Sequence, residues 1–510
     1  MSLSNAADET AESGSPLLGV FAGTSTRARF ARGALWSVIG MGAAQGLGFA
    51  AYVIAAHLLT KNAFGELGMI QSTVGMFGMF AGMGLGLTAT KHIAQFRASS
   101  PARAGKLISL SMLTSIGWGF VMSAALWFLA DYLALRTFGE AAMAGPLRIG
   151  CALLFFSSVG GVQLGILTGM EAFQAIAWTN LVRGSVNIVI VPFGAWVWGV
   201  DGAVWGLTVT AVVAAVAGHV AVEKGRKQLG IPAVHRGLSS EVSVLWRFSL
   251  PAFLTTAVVS LASWLTRAFL VNRPGGFGEL AIVTVSTRFQ DALNMVGLTV
   301  GAALLPMLAS AGSSGTSEEL EIANILVSWI LGAAAALPLL CFPGAASAIF
   351  GPQYTGTDVA QALVLVLVST VILMYRQGLA RTLAANDLMW WNAICNLAWA
   401  AIFVAATWWL LPYGARGFTG AMVIAYVAST ALFLPLYVRR KLAPMRVLAS
   451  PRVVAVWAIV VLLAITAWIH LPVLLRSGFL LVSAAGLGVC FVGMLRTNKI
   501  TVEQTLSVNT

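Results

Sequence analysis

The chain has 510 residues, 58% of them hydrophobic and 9% charged, with a mean hydropathy of +0.87. Ordinary soluble domains carry roughly 25% charged residues, so this composition excludes a water-soluble globular surface and leaves the bilayer as solvent. The net charge of +12 and pI near 10.0 would suit nucleic acid if the basic residues shared one soluble face. They sit instead in short connectors between apolar runs, which reads as membrane topology and excludes nucleic acid as a partner.

Residues 1–26 are rich in Ser, Ala, Thr and Gly, with Asp8, Glu9 and Glu12. They offer too little apolar surface to fold alone and read as a disordered cytoplasmic tail. Arg27, Arg29 and Arg32 then precede an apolar run from Gly33 to Leu59. This run is too long for a signal-peptide core and lacks a small-residue cleavage site, so it is the first span.

A span needs roughly 20 apolar residues to cross about 30 Å of hydrocarbon. Thirteen further runs qualify, at 68–90, 107–130, 147–169, 181–200, 202–222, 248–271, 281–309, 324–350, 359–380, 390–411, 417–438, 453–472 and 476–495. None alternates with period 2 as barrel strands do, so the spans are helices. With the N-terminus inside, cytoplasmic segments hold 20 of the 30 Lys and Arg residues and external segments hold 6. An even count of fourteen puts Arg496 and Lys499 on the same basic side, with both termini cytoplasmic.

The chain carries an internal repeat. Phe64-Gly65-Glu66-Leu67 recurs as Phe277-Gly278-Glu279-Leu280, 213 residues on. Arg32 and Arg247 open the first and seventh spans at an offset of 215. Val200-Asp201-Gly202 and Ala415-Arg416-Gly417 precede the sixth and twelfth at the same offset, while Glu171 and Asp387, 216 apart, follow the fourth and tenth. Six spans separate the copies, an even number, so the repeats are parallel, with a substrate site expected between them. The expected fold is therefore all-α integral membrane, with about 14 transmembrane helices in two parallel six-helix repeats and a C-terminal pair. The N-terminal lobe is 27–222, a cytoplasmic linker 223–247 and the C-terminal lobe 248–438. Helices thirteen and fourteen occupy 439–495, before a cytoplasmic tail at 496–510.

The stretch holding Gly-Ala-Leu-Trp-Ser at 33–37, Phe-Gly-Glu-Leu at 64–67, Gly82-Met83-Gly84-Leu85-Gly86 and Thr90-Lys91-His92-Ile93-Ala94 resembles the polysaccharide transporter branch of the multidrug, oligosaccharidyl-lipid and polysaccharide exporter superfamily. With the repeat, the resemblance covers most of residues 30–440. It implies a V-shaped transporter of the bacterial inner membrane, whose two lobes rock about a central cavity to move a lipid-linked sugar to the outer leaflet. The implied partners are a polyprenyl-diphosphate-linked glycan, membrane lipids and polysaccharide assembly proteins. A lipid II flippase or a cation-coupled multidrug antiporter of the same superfamily is the alternative.

No enzymatic constellation is present. His57, His92, His219, His235 and His470 lack metal-ligand spacing, and Cys151, Cys341, Cys395 and Cys490 all lie in apolar segments. There is no Walker A lysine pattern, so neither a cofactor nor a metal is expected. External loops no longer than about twenty residues leave no room for the catalytic domain of a glycan polymerase or ligase.

What remains are charges inside spans, each costing roughly 2.5–3.5 kcal/mol at a helix centre unless it faces protein or water. Arg183, Arg267, Arg288 and Arg376 are such charges, and Asp291 lies three residues from Arg288 on one helical face. An arginine near a helix end can snorkel to the interface. The functional reading is that these arginines line the cavity and grip the diphosphate or acidic sugars, for which the planar guanidinium is suited. A drug or cation antiporter would need acids in its spans. Here Asp291 is the one clear mid-span acid, which favours an anionic substrate and makes Asp291 the candidate for ion coupling. Asn187, one turn beyond Arg183, and Gln45, near the middle of the first span, complete the candidate substrate-binding set, with interhelical hydrogen bonding as the alternative role.

Overall fold

The protein is described from a computed structural model. It covers the backbone of residues 26–508 other than 235, 312–317, 386–387, 441–447, 449 and 470. Side chains are described between residues 40 and 493, apart from 239–240, 243–252, 296, 298–323, 384–385, 389 and the backbone exceptions. Tail residues 1–25, the connector residue Asp387, His235 and His470 lie outside the described residues. Every described regular element is helical, with no strand.

The N-terminal half comprises α1 (Thr26–Leu58), α2 (Lys61–Gly82), α3 (Leu85–Phe96), α4 (Pro101–Tyr132), α5 (Ala144–Gly169) and α6 (Phe173–Gln228). The C-terminal half comprises α7 (Val242–Val271), α8 (Gly276–Ala311), α9 (Glu318–Cys341), the short α10 (Ala345–Phe350), α11 (Thr357–Ala385), α12 (Met389–Leu410) and α13 (Gly414–Arg439). The chain ends with α14 (Pro451–Ile465) and α15 (Val473–Val508). Ten described helical stretches are long and apolar enough to cross a membrane, eleven when the bent pair α2 and α3 is taken as one. The protein is thus a multi-pass membrane protein.

Several boundaries depart from the hydropathy reading, each for a local reason. The run at 68–90 is not one straight span. Met83 (φ 42°) and Gly84 (φ 71°) leave the helix, and α2 and α3 meet at 41°. The glycine-rich Gly82–Gly86 segment admits this left-handed break, which ordinary residues disfavour. The run at 324–350 divides as well, because Pro343-Gly344 interrupts it between α9 and α10. At the far end α15 continues through residues read as a tail, to Val508.

The 56-residue α6 turns back on itself. Trp198 and Gly199 are non-helical, Gly199 with φ 59° and ψ −130°. The two arms then pack so closely that a Cβ on Gly194 would lie 2.1 Å from the Gly202 carbonyl oxygen. The turn between α12 and α13 uses Gly414 with φ 59° and ψ −134°, 215 residues after Gly199. There the Ala415 amide donates to Glu279 Oε2 at 2.7 Å, giving the glutamate of the second Phe-Gly-Glu-Leu a capping role.

One large apolar cluster runs through both halves, from Phe64, Leu67 and Ile70 to Val283, Leu363 and Phe418. A smaller one in the N-terminal half gathers Leu85, Ile93, Ile166, Ile176 and Ile231. The C-terminal pair is anchored by aromatics. Fully buried Trp329 of α9 packs against Tyr375 of α11 and Trp457 of α14, with centroids 5.5 and 5.0 Å away.

The halves meet where α2 lies against α7 and α8. The two Phe-Gly-Glu-Leu segments touch: a Cβ on Gly65 would fall 1.9 Å from the Phe277 carbonyl oxygen. A second pair of dipeptides flanks them. Phe138 packs on Trp264 of α7 at 6.4 Å, and Phe350 packs on Phe49 of α1 at 5.5 Å. Each phenylalanine is followed by a positive-φ glycine, Gly139 and Gly351. These two Phe-Gly pairs are 212 residues apart, another landmark in nearly the same register.

Candidate functional site: a basic trough between the halves

About two turns along α2 and three along α8 from the tight glycine contact, the two helices present polar groups to one another. Arg288 of α8 donates from Nη2 to Gln71 Oε1 at 2.6 Å and from Nη1 to Asp291 Oδ2 at 3.3 Å. Its guanidinium lies 3.9 Å from the centroid of the Tyr52 ring on α1. Three helices therefore fix one side chain, and two of them belong to the other half. Arg267 of α7 donates to Ser72 Oγ of α2 at 3.0 Å. Both arginines reach across to the opposite half, so neither snorkels to a helix end. One residue farther along α2, Trp264 Nε1 of α7 donates to Thr73 Oγ1 at 3.1 Å.

Arg183 of α6 is different. Among the described residues it has no hydrogen bond, ion pair or aromatic contact, and it opens into a cavity of about 450 Å³. Gln45, Asn187, Tyr52, Arg288 and Asp291 line the same cavity. Two buried acceptors belonging to that lining, Asn187 Oδ1 and Gln163 Oε1, lack partners among the described residues. A buried polar atom without a partner carries a desolvation penalty that a bound hydroxyl or water can offset.

A second cavity of about 410 Å³ is lined by Gln71, Ser72, Arg267, Arg288, Asp291 and Tyr426. A third, of about 420 Å³, lies in the C-terminal half around Arg376, Asn396, Trp399 and Ser429. The first two share Arg288 and Asp291, and the last two share Val259, Ser260, Trp399 and Tyr426. The three form one trough across both halves. All seven residues singled out from sequence line it: Gln45, Arg183, Asn187, Arg267, Arg288, Asp291 and Arg376.

Among the described residues, four arginines against one aspartate leave the trough strongly positive. Its lining offers anion-binding forks and amides, and nothing arranged as a nucleophile with a base. No group of three or more His, Cys, Asp or Glu able to hold a metal occurs among the described residues.

Sequence reasoning missed the partners that aim the arginines. Tyr52 was signalled by its place seven residues after Gln45, two turns along one helical face. Gln71 and Ser72 carried no such mark, since which residue faces the other half depends on where the two helices cross. Trp399 and Tyr426 were likewise unmarked.

Residues 30–311, just over half the chain, match the family described as polysaccharide biosynthesis protein. The chain belongs to that family. It is 24% identical over 400 residues to the EPS I polysaccharide export inner membrane protein EpsE of Ralstonia nicotianae, covering 76% of this chain and 90% of that one. It is 21% identical over 283 residues to the lipid III flippase of Escherichia coli, covering 55% and 67% respectively.

Among solved structures, the fold is similar to an inward-facing multidrug resistance MATE family transporter of the MOP superfamily. The TM-score is 0.66 at 19% identity, over 80% of this chain and 98% of that one. A MOP superfamily transporter from Pyrococcus furiosus, whose binding pocket is described as having reversed polarity, gives 0.61 at 18% identity over 83% and 97%. These likenesses show that the chain shares the fold of those two proteins.

Proposed function

We propose that the protein is an inner-membrane flippase that moves a lipid-linked oligosaccharide, the precursor of a surface polysaccharide, across the bilayer by alternating access. The observation that carries this reading is the continuous trough between the halves, whose described lining holds four in-span arginines and one acid. Retaining cations within a bilayer is expensive, and a diphosphate offers the anionic oxygens that would offset the cost. Arg183, Arg288 and Arg267 would hold the diphosphate, with Gln45 and Asn187 taking hydroxyls of the first sugar. Asp291, between two arginines, is the group through which an ion gradient would act. No bond to the substrate is made or broken in this reading, so the protein is a transporter and not an enzyme. Proteins of polysaccharide assembly would deliver or collect the glycan.

The topology in this reading is fourteen crossings. The bent α2 and α3 count as one, α6 as two and the charged α8 as one. Both termini and the linker 223–247 are cytoplasmic, following the 20-to-6 balance of basic residues. Residues 27–222 and 248–438 are two parallel six-helix lobes. The matched turns at Gly199 and Gly414, and the meeting of the Phe-Gly segments, support that division. The Phe-Gly contact is then the outer seal. The antiporter and lipid II alternatives use the same fold but differ in cargo.

Reconstitution into liposomes with a fluorescent polyprenyl-diphosphate-linked oligosaccharide tests the reading. Protein-dependent exposure of the sugar to a membrane-impermeant glycosidase is expected. Efflux of cationic dyes without any movement of the glycan would assign the chain to the antiporters instead.

A further inference from the structure

We infer that the cavity in the C-terminal half is a subsite for a carboxylate-bearing sugar of the transported glycan, held at Arg376; this deepens, and rests on, the flippase reading.

Arg376 Nη1 donates to Ser429 Oγ at 2.8 Å, and the Ser429 hydroxyl donates in turn to the Ala425 carbonyl at 2.6 Å. The guanidinium stands 5.4 Å from the Tyr426 ring centroid. These contacts orient the charge without neutralising it, since no Asp or Glu lines this cavity among the described residues. A cation within a span that has only neutral neighbours is completed by an anion from outside.

The rest of the lining specifies which anion. A diphosphate calls for several cations, and these lie together in the adjoining cavity at Arg288 and Arg267. Here the described lining holds a single guanidinium, matched by one carboxylate through its two-pronged fork. Trp399 and Tyr426 sit with ring centroids 5.2 Å apart, supplying apolar faces for the C–H side of a sugar ring. Asn392 and Asn396 add amide groups. Two further polar atoms, Trp399 Nε1 and Gln377 Oε1, are buried without partners among the described residues. They offer one donor and one acceptor for hydroxyl groups. At about 420 Å³ the cavity falls within the usual range for small-ligand sites. Because it opens into the central cavity, a glycan anchored there by its diphosphate can extend an acidic residue to Arg376.

The test is binding of trigalacturonate and of neutral galactotriose to the full chain in phosphatidylcholine nanodiscs, whose zwitterionic headgroups carry no net charge. We expect trigalacturonate to bind at least about tenfold more tightly. Arg376→Gln abolishes the preference, Arg376→Lys keeps part of it, and Arg148→Gln, on the exposed pair with Asp131, leaves it unchanged. Equal affinity for the two sugars overturns the proposal, as does an equal loss for both in Arg376→Gln with a lowered Tm. Loss of trigalacturonate binding when phosphatidylglycerol is included also overturns it, because the site would then take a lipid headgroup. Acidic-sugar binding with no movement of the lipid-linked glycan in liposomes would instead defeat the flippase reading and leave the subsite standing.

Discussion

Along α2 and α8 the two halves meet in two contrasting ways within a few turns. Near the starts of the helices there is no space: Gly65 abuts the Phe277 backbone, and a Cβ on Gly68 would fall 2.5 Å from Thr284 Oγ1. Farther along, Arg288 meets Gln71, Arg267 meets Ser72, and cavities open around them. Small residues let backbones approach without polar chemistry, and in a membrane such packing is a principal source of helix association. Polar partners hold helices at a distance and leave lone pairs and donors over. The first arrangement makes a seal and the second makes a site.

The largest effect should follow from forcing the seal. Gly65→Leu places a side chain where even a Cβ cannot fit beside Phe277. Overpacking typically costs 1–3 kcal/mol and occasionally more, and here the obstacle is backbone. We expect a loss exceeding about 3 kcal/mol, seen as a collapse in monodisperse yield and Tm in detergent. Normal yield and Tm would show that the halves separate freely at this point, and the contrast between seal and site would fail.

Next comes Arg288→Ala. It removes a charge-assisted bond to Gln71 and leaves Asp291 in the trough without that partner. Hydrogen bonds to charged groups contribute roughly 1.5–3 kcal/mol. Glycan translocation at matched expression should fall by about tenfold to a hundredfold, with Arg288→Lys recovering only part because it cannot reproduce the fork. Translocation at the normal rate in both variants would reduce Arg288 to a structural bridge.

Arg183→Gln sharpens the distinction between a held arginine and an open one. Arg183 makes no hydrogen bond among the described residues while facing the largest of the three cavities. Its removal should therefore leave stability within about 0.5 kcal/mol of the parent, with Tm nearly unchanged. Binding of a short-chain polyprenyl diphosphate in nanodiscs should weaken by about tenfold. A drop in Tm with unchanged binding would reverse the assignment.

These features were unequally legible in the sequence. Apolar runs disclose spans because a bilayer demands about 20 such residues, and the cost of an in-span charge singles out Arg183, Arg267, Arg288 and Arg376. The break at Met83 and Gly84 was less visible, since glycine is common in membrane helices for packing as well as for turning. Gln71, Ser72 and Tyr52 depend on how helices distant in sequence cross, which periodicity does not encode. Phe138-Gly139 and Phe350-Gly351 repeat in register, yet a two-residue match in a connector stands out only once both are found packed against the opposite half.

The smallest predicted effect lies at Trp264, one turn from Arg267 along α7. Trp264 of α7 packs its ring against Phe138 and donates from Nε1 to Thr73 Oγ1, so one side chain takes part in both kinds of contact. Trp264→Phe keeps an aromatic face and removes the donor. Thr73 is not left stranded, because its hydroxyl donates to the Met69 carbonyl at 2.9 Å. The expected cost is therefore that of a single neutral bond, about 0.5–1.5 kcal/mol. Because the bond links the halves, the loss should also shift their equilibrium toward separation at this end. Distance measurements between spin labels on the α2–α3 and α7–α8 regions would read that shift. A small fall in Tm together with a broader distance distribution is the expected pair of results. An unchanged distribution would mean that the glycine contact alone holds the seal, and that the polar bridges beyond it serve only the cargo.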